Sequence, residues 1–451
     1  MFQGGFHLFH SVVGQRVFGF FLNTHYVSGR TSFMKSFICK ALALTVLGLL
    51  VGMPAAAELT PEEQFGKELY FDSSLSSPNN QSCAFCHEER SGFSGHIPGI
   101  NKQGAVYPGA ERQRFGNRRP PTASYAGDSP VFDYVYDMDE DEWLFAGGMF
   151  WDGRATGWVT GDPLADQAMG PYLNPVEQNL PSEEAACMIV EQSKYAYLYE
   201  VVYGEPLDCS AYDADGHLRA YKNFALAVAA FERSVEVSPF NSKFDYVMAG
   251  EAEFTEQEAW GLQLFNGKGR CSACHPAPLF TDFTYDNLGV PKNPENPFYR
   301  MDTVYVDGMP INPEGAAWVD PGLAGFLETL PQSVFDEWGL DKETAVAESF
   351  GKHKVPTLRN ADKRPGPGFA KSYMHNGSLK SLEEVVSFYN SRDAMIAAGM
   401  IVPEVWENMN EDELGDLGLT ADEEAAIVAF MQTLSDGYAV KGKGKGKGKS
   451  K

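Results

Sequence analysis

The motif Cys-x-x-Cys-His occurs twice in this chain of 451 residues, as Cys83-Ala84-Phe85-Cys86-His87 and as Cys271-Ser272-Ala273-Cys274-His275. In this motif two thiols can add to the vinyl groups of a haem, while the histidine places an imidazole under the iron. A disulfide, a redox-active dithiol or half of a zinc site would account for the cysteines but would leave both histidines unexplained. The sequence therefore predicts two covalently bound c-type haems.

The segment ahead of the first motif has the features of a secretory signal peptide. Met34 and Lys35 lead into an apolar run over residues 41–51, and small residues at 55–57 supply a cleavage site. The run is too short to span a membrane. We therefore assign residues 34–57 to a signal peptide and residues 1–33 to an over-extended start. Haem attachment to this motif takes place outside the cytoplasm, so we expect a periplasmic protein that does not span the membrane.

The other cysteines agree with an oxidising compartment. The two motifs use four of the seven cysteines, and Cys39 lies in the signal peptide, which leaves Cys187 and Cys209. In such a compartment these two residues should form a disulfide. Two buried thiols would also fit the sequence.

The formal net charge of −25 argues against a nucleic-acid-binding protein. A strongly acidic surface could steer a basic electron-donor protein at low ionic strength, although acidic surfaces more often serve solubility. Lys and Gly alternate over residues 441–449, and this composition is typical of a disordered tail, which we assign to residues 439–451.

Helical signals dominate between these two ends of the chain. Thr60 and Thr255 each precede a run of acidic residues that is typical of a helix start, and each helix leads to one haem motif. The apolar spacing predicts two more helices, over residues 218–237 and 421–434. This pattern predicts a mostly α fold with two cytochrome c-like domains, each binding one covalent c-type haem.

Two segments, residues 97–150 and 290–345, are rich in Gly, Pro, Asn and Asp. Such composition is typical of irregular structure, and loops of this length in a compact protein usually carry function. We therefore expect long irregular loops that cover the haems.

With both motifs placed, residues 60–437 resemble the bacterial di-haem cytochrome c peroxidase and MauG family. The matching runs are residues 65–72, 150–155, 167–171, 174–177, 278–283, 355–360, 373–377 and 382–386. The resemblance implies that residues 58–245 form a peroxidatic haem domain and residues 246–438 an electron-transfer haem domain.

The resemblance also implies residue roles. His87 and His275 would be the proximal iron ligands, and Gln167 and Glu177 would overhang the reactive iron, where a carboxylate can move protons during O–O cleavage. Trp151 would lie between the two haems. Without the resemblance, Glu177 would be taken for a solvated surface acid and Trp151 for ordinary core packing.

The sequence around the first haem motif differs from that of the family members that need activation by reduction. In those proteins a loop histidine caps the peroxidatic iron, but the corresponding residues 99–118 contain no histidine. His96 is the nearby candidate. We expect a five-coordinate iron at this haem, as in MauG.

The expected distal ligand of the second haem differs from that of the classical peroxidases. Their distal methionine lies fourteen residues after the histidine that corresponds to His375, and this position is Tyr389 here. A tyrosine ligand resembles MauG and stabilises the oxidised iron. Met395 and Met400 are alternative ligands.

The family also holds a calcium ion between its domains, partly through an asparagine that corresponds to Arg119 here. A cation in place of an oxygen ligand disfavours binding, so calcium is doubtful.

These features predict a periplasmic di-haem peroxidase that reduces H₂O₂ to water with electrons from a small donor protein of cytochrome c or cupredoxin type. One alternative is a MauG-like oxidase that acts on a protein substrate, which Tyr389 and the missing loop histidine favour. The other is a passive di-haem electron carrier, which would have two six-coordinate irons and no need for Glu177.

Overall fold

The computed structural model describes residues 58–138 and 141–440. The predicted signal peptide, the residues 1–33 predicted to be an over-extended start, and residues 441–451 of the predicted tail lie outside the described residues. Within the described ranges, no helix combines the length and the apolar character that a membrane crossing requires.

The described chain is mostly helical, with short strands. Its α-helices are Pro61–Phe71 (α1), Cys83–Cys86 (α2), Pro98–Lys102 (α3), Pro163–Leu173 (α4), Glu183–Glu191 (α5), Tyr197–Tyr203 (α6), Arg219–Arg233 (α7), Lys243–Met248 (α8), Glu256–Phe265 (α9), Leu323–Leu327 (α10), Gln332–Trp338 (α11), Lys342–Glu348 (α12), Leu382–Ala397 (α13) and Ala421–Gln432 (α14). Its strands are Asp133–Asp137 (β1), Glu142–Ala146 (β2), Tyr285–Asp286 (β3), Tyr305–Val306 (β4), Met309–Pro310 (β5) and His353–Lys354 (β6). Short 3₁₀ helices cover Glu89–Ser91, Pro297–Thr303 and Gly315–Ala317.

The helices that precede the two haem motifs begin where the sequence predicts. Thr60 caps α1 by accepting the backbone N–H of Glu63, whose carboxylate accepts the N–H of Thr60 in return. Thr255 and Glu258 form the same reciprocal pair at the start of α9. Each pair satisfies two N–H groups that the first helical turn leaves without a partner.

The two other predicted helices form but end earlier than expected. The predicted helix over residues 218–237 is α7, which ends at Arg233 because the N–H of Ser234 turns to the carbonyl of Phe231. The predicted helix over residues 421–434 is α14, which ends at Gln432. Apolar spacing therefore located both helices but overestimated their last turn.

Two pairs of helices cross with their backbones in direct contact. A Cβ atom on Gly66 of α1 would lie 1.8 Å from the carbonyl oxygen of Ala227 on α7. A Cβ atom on Gly261 of α9 would lie 1.9 Å from the carbonyl oxygen of Ala426 on α14. Only glycine fits such an approach. The same crossing therefore occurs beside each of the two haem motifs.

Each crossing lies in its own hydrophobic core. The first core packs α1 against α4–α7, and the second packs α9 against α13 and α14. The helix α8 spans residues 243–248 and so includes both sides of the predicted boundary between residues 245 and 246. That boundary and the count of two domains stay predictions.

The segments predicted as long loops contain short regular elements. Residues 97–150 include α3 and the antiparallel β1–β2 hairpin, while residues 290–345 include the β4–β5 hairpin, α10, α11 and the start of α12. A third hydrophobic core forms where the two segments meet, and Phe132 packs there against Tyr285 and Phe326. The prediction of irregular structure was wrong for these elements.

The predicted disulfide is confirmed. Cys187 of α5 is bonded to Cys209 in the segment that leads to α7. The bond closes a loop across a sequence separation of 22 residues at the edge of the first core.

We expect Gly261→Ala to destabilise the protein by about 1–3 kcal/mol, because the new methyl group would push α9 away from α14. In an uncrowded helix the same change would stabilise by up to about 1 kcal/mol. Gly99→Ala is the matched control, since Gly99 lies in α3 with no atom within 4 Å of the new Cβ. Urea unfolding measures the free energy of unfolding of both variants. Equal effects of the two substitutions would contradict the tight crossing.

Candidate functional site

Two cavities contain the two motifs. Cys83, Cys86 and His87 line the first, which has an empty volume of about 1290 Å³. The corresponding residues of the second motif line the other cavity, which has an empty volume of about 1510 Å³.

Both motifs fold into the same turn. The N–H of His87 donates to the carbonyl of Cys83 at 3.0 Å, and the N–H of His275 donates to the carbonyl of Cys271 at 2.9 Å. In each motif, one helical turn places both thiols and the imidazole at the wall of the same cavity.

Neighbouring carbonyls fix the orientation of both imidazoles. Nδ1 of His87 donates to the carbonyl of Phe93 at 3.2 Å, and Nδ1 of His275 donates to that of Phe280 at 2.9 Å. With the proton on Nδ1, the lone pair of Nε2 is available for a metal. Burial lowers the pKa of both histidines, that of His275 to about 4, so both are neutral at pH 7. Two thiols and one neutral imidazole fit the attachment of a c-type haem in each cavity.

Gln167 and Glu177 line the first cavity together with His87. Gln167 lies on α4, and Glu177 lies in the turn that follows this helix. Nδ2 of Asn174 donates to Oε2 of Glu177 at 3.1 Å and so orients the carboxylate. Burial raises the pKa of Glu177, while Arg154 and Asn174 oppose the shift. The carboxylate is therefore a stronger base than a solvated one.

Trp151 lines both cavities. Its indole Nε1 donates to the carbonyl of Arg119 at 2.9 Å, and its own carbonyl accepts the N–H of Lys354 at 2.9 Å. These two bonds hold a largely buried indole in the wall that the cavities share.

A buried ion-pair network supports this wall. Arg118 donates to Asp152 at 2.6 Å and to both oxygens of Asp320 at 2.6 and 2.7 Å. Burial disfavours the charged carboxylates, yet Arg118 holds the pKa of Asp152 and of Asp320 below the usual value. Asp152 follows Trp151 in the chain, so the network fixes the indole relative to residue 320.

Sequence reasoning did not identify a second polar cluster in the second cavity. The imidazoles of His353 and His375 stack with ring centroids 3.6 Å apart. Oδ2 of Asp320 lies 3.3 Å from Nε2 of His353 and 4.0 Å from Nε2 of His375. Two imidazoles and a carboxylate could hold a metal ion. These residues lie far apart in the sequence, so no short motif indicated that they would meet.

The three candidate ligands of the second haem differ in their position relative to the second cavity. Tyr389 lies on α13 and lines the second cavity, and burial raises the pKa of its hydroxyl well above the usual value. Met400 is 72% exposed, and neither Met400 nor Met395 lines this cavity. The geometry therefore favours Tyr389 over the two methionines.

His96 lies outside the wall of the first cavity. Its ring packs against Phe85 and Tyr107, with both centroid distances at 6.2 Å. Tyr107 lines the cavity, so its side chain, rather than the imidazole, faces that space.

Each Cys-x-x-Cys-His turn lies at the wall of its own cavity, and one tryptophan belongs to both walls. This arrangement is that of a di-haem redox protein. The family model of di-haem cytochrome c peroxidase matches residues 60–253. The methylamine utilization protein MauG of Paracoccus denitrificans (strain Pd 1222) is 33% identical over 393 residues, which cover 82% of this chain and 87% of that protein. The chain belongs to the di-haem cytochrome c peroxidase and MauG family, which confirms the resemblance found in the sequence.

Further relatives agree with this assignment. A cytochrome-c peroxidase of Denitromonas iodatirespirans is 26% identical over 416 residues, which cover 88% of this chain and 92% of the relative. Among solved structures, the diheme peroxidase BthA from Burkholderia thailandensis E264 matches with a TM-score of 0.64 and 25% identity. That match covers 84% of this chain and 87% of BthA.

Proposed function

We propose that this protein is a periplasmic di-haem peroxidase that reduces H₂O₂ to water with electrons from a small donor protein of cytochrome c or cupredoxin type. The observation that carries the proposal is the presence of Gln167 and Glu177 in the same cavity as His87. A passive electron carrier needs no acid–base group beside its iron, so this arrangement disfavours that alternative.

Each cavity would hold one covalent haem c. Cys83 and Cys86 would bind the first through thioethers, and Cys271 and Cys274 the second, with the following histidine as ligand in each motif. The bound haems supply the iron that cleaves the O–O bond and that stores and transfers electrons.

Glu177 would manage the protons. Reduction of H₂O₂ by two electrons consumes two protons and releases two water molecules, so one oxygen must lose a proton to a base and the leaving oxygen must gain one. Asn174 holds Oε2 of Glu177 and leaves Oε1 to take up and return the proton. The amide of Gln167 would hydrogen-bond and orient the peroxide in the same cavity.

Trp151 would carry electrons between the haems. Its indole belongs to the walls of both cavities, so one aromatic ring can shorten the transfer between them. The bonds to Arg119 and Lys354 hold this ring still.

Calcium stays doubtful as a third cofactor. The side chain of Arg119, at the position where the family has an asparagine ligand, donates through Nε to the carbonyl of Met374 at 2.9 Å. A guanidinium here would repel a divalent cation.

A MauG-like oxidation of a protein substrate is the second candidate function. Tyr389 lines the second cavity, and a tyrosine ligand would favour high oxidation states of the second haem. The relative named MauG at 33% identity agrees with this alternative. In both candidate functions, His87 and Glu177 would have the same role toward H₂O₂.

The proposed periplasmic location rests on the signal peptide predicted for residues 34–57 and on the Cys187–Cys209 disulfide. The net charge of −25 would favour encounter with a basic donor at low ionic strength.

We expect the fully oxidised protein to react with H₂O₂ without prior reduction, because His96 does not line the first cavity and residues 99–118 contain no histidine. Stopped-flow mixing of the ferric protein with H₂O₂ should change the Soret band at once. If only the half-reduced protein responds, a side chain caps the first iron in the oxidised state.

Glu177→Gln should reduce peroxide turnover by about 10²–10⁴-fold, the range that general acid–base catalysis typically contributes. Haem content and absorption spectra should stay unchanged, since the amide has nearly the same shape as the carboxyl. Glu191→Gln is the matched control, because Glu191 is exposed at the end of α5. A Glu177→Gln variant that keeps most of the wild-type turnover would return Glu177 to the role of a surface acid.

A further inference from the structure

Two adjacent arginines differ in their ionic partners. Arg118 is paired with Asp152 and Asp320. Arg119 has no Asp or Glu within ion-pair distance among the described residues. Its Nε donates to the carbonyl of Met374 at 2.9 Å, and its guanidinium carbon lies 5.8 Å from the Trp151 ring.

Arg119 is partly buried, in the wall that the two cavities share. Arg119 lines both cavities, and burial lowers its pKa to about 10. Removing a charge from water without an opposite charge is costly, so buried charges are normally paired. The two Nη groups make no hydrogen bond to a described residue, which leaves four N–H donors in a planar fork. Such a fork is suited to carboxylates.

The other cationic side chains in the cavity walls already have partners. Lys371 donates to the carbonyls of Ser91, Asn360 and Lys363, and Lys354 donates to two further carbonyls. Each of these cations also lines one cavity only, as do Arg118, Arg154, Arg270 and Arg359. Among the described residues, Arg119 is thus the cation shared by both cavities, and it has donors left over.

A haem brings two propionate carboxylates into its cavity, and these are the anions that a haem in each cavity would offer to Arg119. We propose that Arg119 binds a propionate of each haem, so that one guanidinium joins the two cofactors beside Trp151. The inference rests on the proposed function in one respect, namely that each cavity holds a haem.

A cation bound to both haems raises both reduction potentials, because it disfavours the more positive ferric state. Arg119→Gln should therefore lower the potentials of both haems. At a fixed solution potential, we expect the ratio of oxidised to reduced haem to rise at least tenfold for each haem. A tenfold change corresponds to a shift of 59 mV in the reduction potential of a one-electron couple. Spectroelectrochemical titration of the protein with two bound haems measures both potentials.

Lys102→Gln is the matched control, since Lys102 is exposed at the end of α3 and its loss changes the charge by the same amount. It should leave both potentials unchanged. A Gln variant that behaves like this control, or that lowers the potential of one haem alone, would overturn the proposal.

Arg119→Lys keeps the charge but lacks the fork, so one ammonium cannot bind two carboxylates in the same way. We expect at least one potential to fall in this variant. The Lys variant also tests the proposal if the Gln variant fails to bind two haems. In that case, unchanged reduction potentials of both haems in the Lys variant would overturn the proposal. The titration is independent of peroxide turnover, so a protein with two haems and no peroxidase activity would contradict the proposed function alone.

Discussion

The close crossing of helices at two glycines is the contact on which both cavities depend. At Gly66 and at Gly261 the backbone of one helix lies directly against that of its partner. The first helix of each pair leads to a Cys-x-x-Cys-His turn, and the partner helix contributes residues to the wall of the same cavity. Val228 and Glu232 of α7 line the first cavity, and Met431 of α14 lines the second. A side chain at either glycine would separate the motif from the wall that completes its cavity.

The wall between the cavities is held by charge as well as by packing. Arg118 pairs with two buried carboxylates from separate parts of the chain, Asp152 and Asp320, and Arg154 supplies a second positive charge to Asp152. Arg119, one residue further on, has no such partner, and its backbone carbonyl holds the indole of Trp151. One short segment therefore supplies the fixed support of the wall, the anchor of its aromatic ring and a cation that is available to the cofactors.

Local patterns predicted the features that depend on neighbouring residues. The threonines followed by acidic residues located the starts of α1 and α9, and the cysteine inventory located the disulfide. Contacts between distant segments left no such pattern. Asp320, His353 and His375 meet through tertiary packing, and so do the aromatic residues of the third core. Of the short elements in the predicted loops, β2, α10, α11 and α12 place apolar side chains in that core.

The central claim is that a haem iron held by His87 would keep one ligand position free in the cavity of Glu177, while Tyr389 would be a ligand of the iron held by His275. Electron paramagnetic resonance of the fully ferric, two-haem protein tests it most directly, because an iron with an open position gives a high-spin signal. The account predicts one high-spin and one low-spin haem, in the wild-type protein and in Glu177→Gln alike. Two low-spin signals would contradict it, since both irons would then be closed and the protein would be suited to carrying electrons only.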